Sequence, residues 1–361
     1  MRTDDPKSGV SRRFVLKSAA AGSALIAAPF VWRSPARAAG SVIVRTVGGA
    51  YEDAVTKAVF EPFTRETGIE VVKAPMGFAR LMAMLETGRF ELDVLDTGEA
   101  GLIAFRDKDA LEKIDYSSWT FTNPDDLAPD MRRDDMTGFC YFSTVMAYNT
   151  NAFPAGKAPS SWTEFWDAAK FPGERSLADI KAGYPDLEVA LLAAGVSKDA
   201  LYPIDLDRAF RSLEAIRPSI RTFWESAAIV MQMLSNNEVA ASTVWSGRAQ
   251  DYIDQGHPLA IQWNGASLQR ELWAIPKGAA NAENAQKFVD FASRPDVQAN
   301  LTKGIPYGPA NTKAFDHIDA ATLDRLPNNP EHLAQAFYHD GEWWARNRQE
   351  VDARWAAWLL Q

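Results

Sequence analysis

The first place in this chain where residue type and spacing could do chemistry is a diglycine. Gly48-Gly49 follows an apolar, β-branched stretch and precedes a helical one. Glycines at such a junction let the backbone come close to a bound molecule and leave free N–H groups facing it. A tight turn with no ligand would use the same dipeptide. A second loop in the same kind of position spans residues 96–99. Signatures of covalent catalysis are missing: the sequence has no G-x-S-x-G elbow, no H-E-x-x-H helix, no Walker P-loop and no G-x-G-x-x-G fingerprint. The four histidines, His257, His317, His332 and His339, are not spaced as a zinc pair on one helix turn. Cys140 is alone, so no intramolecular disulfide can form. The expectation is a protein without metal or cofactor that binds rather than converts. A secreted, cofactor-containing enzyme is the rival from another class.

These loops need elements to hold them. Residues 41–47 are apolar and β-branched, as a strand buried on both faces should be. Tyr51, Val55, Ala58, Val59 and Phe63 then recur every three to four residues, which predicts a helix that Pro62 kinks or interrupts and Gly68 caps. A strand at 69–72 follows. Phe78, Leu81, Met82 and Leu85 predict a second helix ending at Gly88, before a third strand at 92–95 and a further helix from about Glu99. The β-α-β-α-β-α order predicts an α/β protein with a parallel or mixed sheet covered by helices. In such sheets ligands bind beyond the carboxyl ends of the strands, where both loops lie. Near the C-terminus, Trp344, Val351, Trp355, Trp358 and Leu359 form a helix-spaced stripe that reads as core.

The chain has 361 residues, 47% hydrophobic and 24% charged, which fits about two domains of ordinary size. Its first 38 residues differ from the rest. Ser11-Arg12-Arg13-Phe14-Val15-Leu16-Lys17 resembles the twin-arginine export signal, with Val15 where that pattern usually has Phe. The 15 small or apolar residues between Lys17 and Arg33 fall short of the ~20 that a membrane-spanning helix needs. Ala36-Arg37-Ala38 supplies a small-x-small cleavage pattern. The expected product is a periplasmic protein starting near Ala39, handled by the twin-arginine translocase on the way out. Without residues 1–38 the chain holds 45 acids and 31 bases, a net charge of −14. That balance disfavours nucleic acid and anionic membrane surfaces as partners.

Gly48-Gly49-Ala50-Tyr51-Glu52-Asp53-Ala54, followed by Phe60-Glu61-Pro62-Phe63-Thr64-Arg65-Glu66-Thr67-Gly68-Ile69-Glu70-Val71, resembles the N-terminal part of the periplasmic solute-binding proteins of ABC importers, in the spermidine/putrescine-binding branch. Further segments resemble that family in the same order. They are Pro159-Ser160-Ser161-Trp162-Thr163-Glu164-Phe165-Trp166, Val244-Trp245-Ser246-Gly247-Arg248, Trp273-Ala274-Ile275-Pro276-Lys277, Arg294-Pro295-Asp296-Val297-Gln298 and Tyr307-Gly308-Pro309-Ala310-Asn311. The resemblance implies a two-lobed, type II periplasmic-binding-protein fold. Each lobe would be a mixed sheet flanked by helices, and strands crossing between the lobes would form the hinge. It places lobe one at residues 41–143 plus 271–312 and lobe two at 144–270 plus 313–361. It also implies a monomer that closes on a small molecule and hands it to an inner-membrane permease.

A cleft for a flexible diamine needs a carboxylate near each ammonium and aromatic faces along the methylenes. By resemblance, Gly49, Tyr51 and Glu52 sit on the first loop, Thr97 and Glu99 on the third, Trp245 at the position of a stacking aromatic, Glu271 at the position of an amine-binding acid, and Tyr307 near the contact that closes the site. Asp179, Tyr184 and Glu188 lie in the segment that brings acids from the second lobe. Gln269 stands where polyamine binders tend to carry Trp, and Arg248 and Arg270 flank the site. An Arg facing the cleft would repel a polyamine and pair with a carboxylate. The ligand class is thus open between di- and polyamines, the reading favoured here, and amino-acid-like or phosphonate ligands.

Overall fold

The computed structural model describes residues 40–361. The export segment expected at 1–38 lies outside the described residues. The chain runs through β1 (Ser41–Thr46), α1 (Gly49–Val55), α2 (Glu61–Thr67), β2 (Glu70–Pro75), α3 (Phe78–Thr87), β3 (Leu95–Gly98), α4 (Glu99–Asp107) and β4 (Thr137–Asn149). It continues through α5 (Trp162–Trp166), β5 (Arg175–Ala178), α6 (Leu187–Ala193), α7 (Leu206–Ile216), β6 (Ile220–Trp224), α8 (Ala227–Ser235), β7 (Ala241–Trp245), α9 (Ser246–Asp254) and β8 (Leu259–Ala274). The last part holds α10 (Ala282–Ala292), α11 (Pro295–Gly304), β9 (Gly308–Pro309), α12 (Ala320–Leu323), α13 (Pro330–Gln335), β10 (Phe337–Tyr338) and α14 (Gly341–Leu359).

Local chemistry explains most of the boundaries. Gly68 and Gly88 both adopt left-handed φ, 73° and 63°, and end α2 and α3 as the sequence predicts. Pro62 sits in the first turn of α2, where no intrahelical N–H is required, and a wide π-turn at Thr56–Phe60 joins α1 to it. β1 and β2 pair in parallel, and Val94 bridges Val44 in the same sense. The third strand, expected at 92–95, starts only at Leu95. Its length is set by antiparallel pairing with β8, from Leu95 opposite Ala274 to Gly98 opposite Glu271, a partner far along the chain. In the C-terminal stripe Trp344, Val351, Trp355 and Trp358 are buried as expected, while Leu359 is 38% exposed at the frayed end of α14.

Two long strands form the middle of an eight-stranded sheet separate from the β1–β2 pair. β4 and β8 run antiparallel from Thr137 opposite Trp273 to Asn149 opposite Leu259. On its other edge β4 pairs with β9 at Cys140 and Tyr141, then with β7 from Thr144 onward. Parallel β5 and β6 extend the sheet beyond β7. One apolar core is built from residues 42–69, Val94, Ile114, Phe139, Cys140, Trp273 and 275–307, a second joins α5, α6, α7 and α14, and a third joins α3 and α4 to Leu268 and Leu272 of β8. The result is two-lobed and mixed in sheet sense, with helices packed on the strands. The middle of the β4 and β8 ribbon runs beneath the junction of the lobes.

Candidate functional site

The first loop sets one wall of the site. Gly48 and Gly49 have φ of 75° and 66°, values that a side chain would strain. Gly49 also has little room to spare: a Cβ there would lie 3.3 Å from Nη1 of Arg248, whereas one on Gly48 would meet nothing within 4 Å. Arg248 comes from the first turn of α9. Its guanidinium makes no hydrogen bond or ion pair with any described residue, and its Nε is buried without a partner. The same turn of α9 presses on Tyr307, where a Cβ on Gly247 would meet ring carbon Cε1 at 2.5 Å. The rings of Tyr51 and Phe142 stand 6.0 and 5.6 Å from that of Tyr307.

The hinge strands supply the floor. Strand alternation places Gln269, Glu271 and Trp273 on one face of β8, and Leu268, Arg270 and Leu272 on the other. Gln269 donates from Nε2 to Oγ1 of Thr144 at 2.8 Å, and Thr144 is paired with Trp245 across β4 and β7. Trp245 is half-buried, held edge to face on Trp224 with centroids 5.7 Å apart.

Glu271 anchors a polar compartment behind this floor. Its carboxyl is in hydrogen-bond contact with that of Asp96, which also accepts from the Tyr51 hydroxyl at 3.1 Å on both oxygens. Burial pushes Asp96 up to about 7, against the pull of Arg45 and the hydrogen bonds from Glu271 and Tyr51. Burial, and then the Asp96 charge, push Glu271 well above the usual carboxylate range. Within the pair these directions put a shared proton on Glu271, whose carboxyl donates it toward Asp96. Burial, together with Glu271 and Asp96, likewise raises the Cys140 thiol.

Other candidate residues spend their polar atoms inside the protein. Glu52 accepts from the Gly48 N–H at 3.0 Å and pairs with Lys73 at 3.0 Å; burial works against ionisation, but Lys73, Thr46 and Gly48 outweigh it and hold the carboxyl low. Glu99 is bound by Arg133 and by Arg270 at 2.9 Å. Thr97 is buried against Gly101, one turn into α4. Glu188 accepts from the Tyr202 hydroxyl at 2.5 Å and from Nε1 of Trp344 at 2.7 Å, while Asp179 accepts from Nε1 of Trp355 at 3.2 Å. Tyr184 packs on Trp344 and His339, with centroids 4.9 and 4.8 Å away, and burial pushes its hydroxyl above the usual phenol range.

The structure thus gathers Gly49, Tyr51, Tyr184, Trp245, Arg248, Gln269, Glu271 and Tyr307 around the lobe junction. It directs Glu52, Thr97, Glu99, Glu188 and Asp179 elsewhere. Sequence reasoning passed over Arg45, Asp96, Phe142 and Thr144. A signal existed for the first two, since Arg45 is a charge within a strand otherwise fit for burial and Asp96 opens a loop already singled out. Among the described residues no group of three or more His, Cys, Asp or Glu side chains converges to hold a metal, and no helix is long and apolar enough to cross a membrane.

The arrangement sets an unpartnered cation at one end, an acid raised above the usual carboxylate range at the other and aromatic rings between. Comparison with known proteins agrees with a binding role. The gamma-aminobutyric acid-binding protein of Pseudomonas aeruginosa is 33% identical over 328 residues, covering 89% of this chain and 91% of that one. The spermidine/putrescine-binding periplasmic protein of Escherichia coli is 28% identical over 273 residues, covering 72% and 76%. The solved structure of AgtB from A. tumefaciens R10 in complex with agropinic acid matches with a TM-score of 0.79 at 30% identity, covering 90% of this chain and 99% of that one. Residues 58–331 match the family described as bacterial extracellular solute-binding protein. This chain belongs to that family, the substrate-binding components of ABC importers.

Proposed function

We propose that this protein is a periplasmic receptor whose ligand is a small amino-carboxylate, a zwitterion that sets its carboxylate on Arg248 and its ammonium near Glu271. The observation that carries this reading is the Arg248 guanidinium, unpartnered among the described residues and set against Gly49. Its Nε is buried without a partner while the side chain is only partly covered, and a ligand carboxylate held in the guanidinium fork would supply the missing acceptors. Trp245 and Tyr307 would line the methylenes between the two charges. The relatives named for gamma-aminobutyric acid and agropinic acid support a ligand with a carboxylate. The more distant polyamine relatives support the ammonium end, but the second ammonium of a diamine would face Arg248. The amine reading favoured from sequence therefore ranks second. In this proposal residues 41–143 plus 271–312 form lobe one and 144–270 plus 313–361 form lobe two. Residues 1–38 serve export through the twin-arginine translocase, and the closed receptor docks on its permease as a monomer.

Calorimetry of the mature protein with gamma-aminobutyrate, putrescine and butyrate tests the assignment. Gamma-aminobutyrate should bind about 100-fold more tightly than putrescine, a difference of about 2.7 kcal/mol. Putrescine binding more tightly than gamma-aminobutyrate would overturn it.

A further inference from the structure

Behind Glu271 lie two charged residues that no ligand can touch. Asp96 is 2% exposed and Arg45 4%, whereas Glu271 keeps part of its surface open. Arg45 donates from Nη1 to the Asp96 carbonyl, and its Nε is buried with no partner. The guanidinium carries a permanent charge. Groups facing Glu271 from the surrounding elements are Tyr51 of α1, Asp96 of β3, Cys140 of β4, Tyr184 ahead of α6 and Tyr307 ahead of β9, with Arg248 of α9 beyond Tyr307. The tyrosines and the cysteine are neutral at physiological pH. The balance therefore lies among Arg45, Asp96 and Glu271.

With one proton shared by the two carboxyls, the Arg45 and Asp96 charges cancel and the compartment is neutral. An ammonium brought against a neutral Glu271 would leave one uncompensated positive charge in a desolvated space, which is expensive. Release of the Glu271 proton to solvent restores neutrality: the O–H bond breaks, the carboxylate keeps the electron pair, and the ammonium becomes its counter-ion.

We propose that Arg45 and Asp96 are positioning residues that act through Glu271 to set the charge of this end of the cleft, so that it is neutral when empty, admits one ammonium group and gives up one proton on doing so. This rests on the amino-carboxylate reading for the presence of the ammonium. It makes the site selective for a single positive charge without any contact between Arg45 or Asp96 and the ligand. Affinity for an ammonium ligand then rises with pH while Glu271 still holds its proton, because binding is coupled to proton loss.

Two measurements on the mature chain test this, one of them without ligand. The infrared spectrum of the empty protein at about neutral pH should carry a protonated-carboxyl C=O band that Glu271→Gln removes; the band from Asp186, also raised to about 7 by burial, is identified with Asp186→Asn. In calorimetry with gamma-aminobutyrate in buffers of different ionisation enthalpy, the wild type should release about one proton per ligand at pH ~7.5, and Glu271→Gln should release almost none. Arg45→Met should bind the ligand without proton release, since Asp96 then supplies the counter-charge. Binding with no proton release in the wild type, or a C=O band unaffected by Glu271→Gln, overturns the inference and leaves the amino-carboxylate reading standing. Failure of gamma-aminobutyrate and related amino-carboxylates to bind overturns that reading, and the infrared result then decides the charge state alone.

Discussion

Arg270 and Glu271 are neighbours in sequence, yet they belong to opposite faces of the same hinge strand and to opposite kinds of chemistry. On one face Arg270 is enclosed by Glu99 at 2.9 Å and Asp130 at 2.8 Å, with Tyr338 5.2 Å away under the guanidinium. Asp130 in turn accepts from the Tyr141 hydroxyl at 2.7 Å. On the other face Glu271 is paired with a second acid, and Arg248 across the cleft has no partner among the described residues. The first face is electrostatically complete and the second is not. A charge satisfied by its own chain holds structure, whereas one left without a partner has donors to spare.

Three perturbations separate these faces. The largest is expected from Arg270→Met, which leaves the Glu99 and Asp130 charges without their shared cation. Denaturant unfolding should show a loss of about 3–5 kcal/mol, the scale for breaking a buried ion pair, while affinity for gamma-aminobutyrate changes less than about threefold. Loss of binding with unchanged stability would place Arg270 on the ligand face instead. Next, Arg248→Met should weaken gamma-aminobutyrate binding by about 2–4 kcal/mol, the range for truncating one side of a desolvated charge pair. Its melting temperature should hold, because the partly exposed guanidinium makes no hydrogen bond or ion pair with any described residue and only its Nε is buried without a partner. The smallest effect is on pH dependence. Glu271 titrates higher when folded than when unfolded, so the folded state binds more protons and stability falls as pH rises through the range of the folded group, by up to about 1.4 kcal/mol per pH unit for one proton. Glu271→Gln should flatten that decline in the ligand-free protein, leaving the parts due to Asp96, Asp186 and Glu188, which burial also raises. An unchanged slope would show that Glu271 is ionised throughout.

Glu52 and Glu99 show why the candidate site was only partly legible. Both sit in the first turn of a helix beside a suspected ligand loop, where the helix dipole favours an acid whether or not a ligand is present. Sequence places them correctly on their loops. Which cation would claim each carboxylate depended on Lys73 in a neighbouring strand and on Arg133 and Arg270, 34 and 171 residues along the chain. Arg45 and Asp96 were hidden for the converse reason. Neither can touch a ligand, so their influence appears only when the compartment they share with Glu271 has been assembled.

Periodicity and glycine placement, read along the chain, were enough to establish the alternating α/β order, the helix ends at Gly68 and Gly88, and the burial of Trp344, Val351, Trp355 and Trp358. Those features depend on interactions within a few residues, which a linear string records. The start of β3 at Leu95, the face on which Glu271 and Arg270 each lie, and the choice of Arg248 as the cation left without a partner were decided by tertiary structure. Each depends on strand register and on charges brought together across more than a hundred residues, because a side chain's electrostatic role is set by what surrounds it in space.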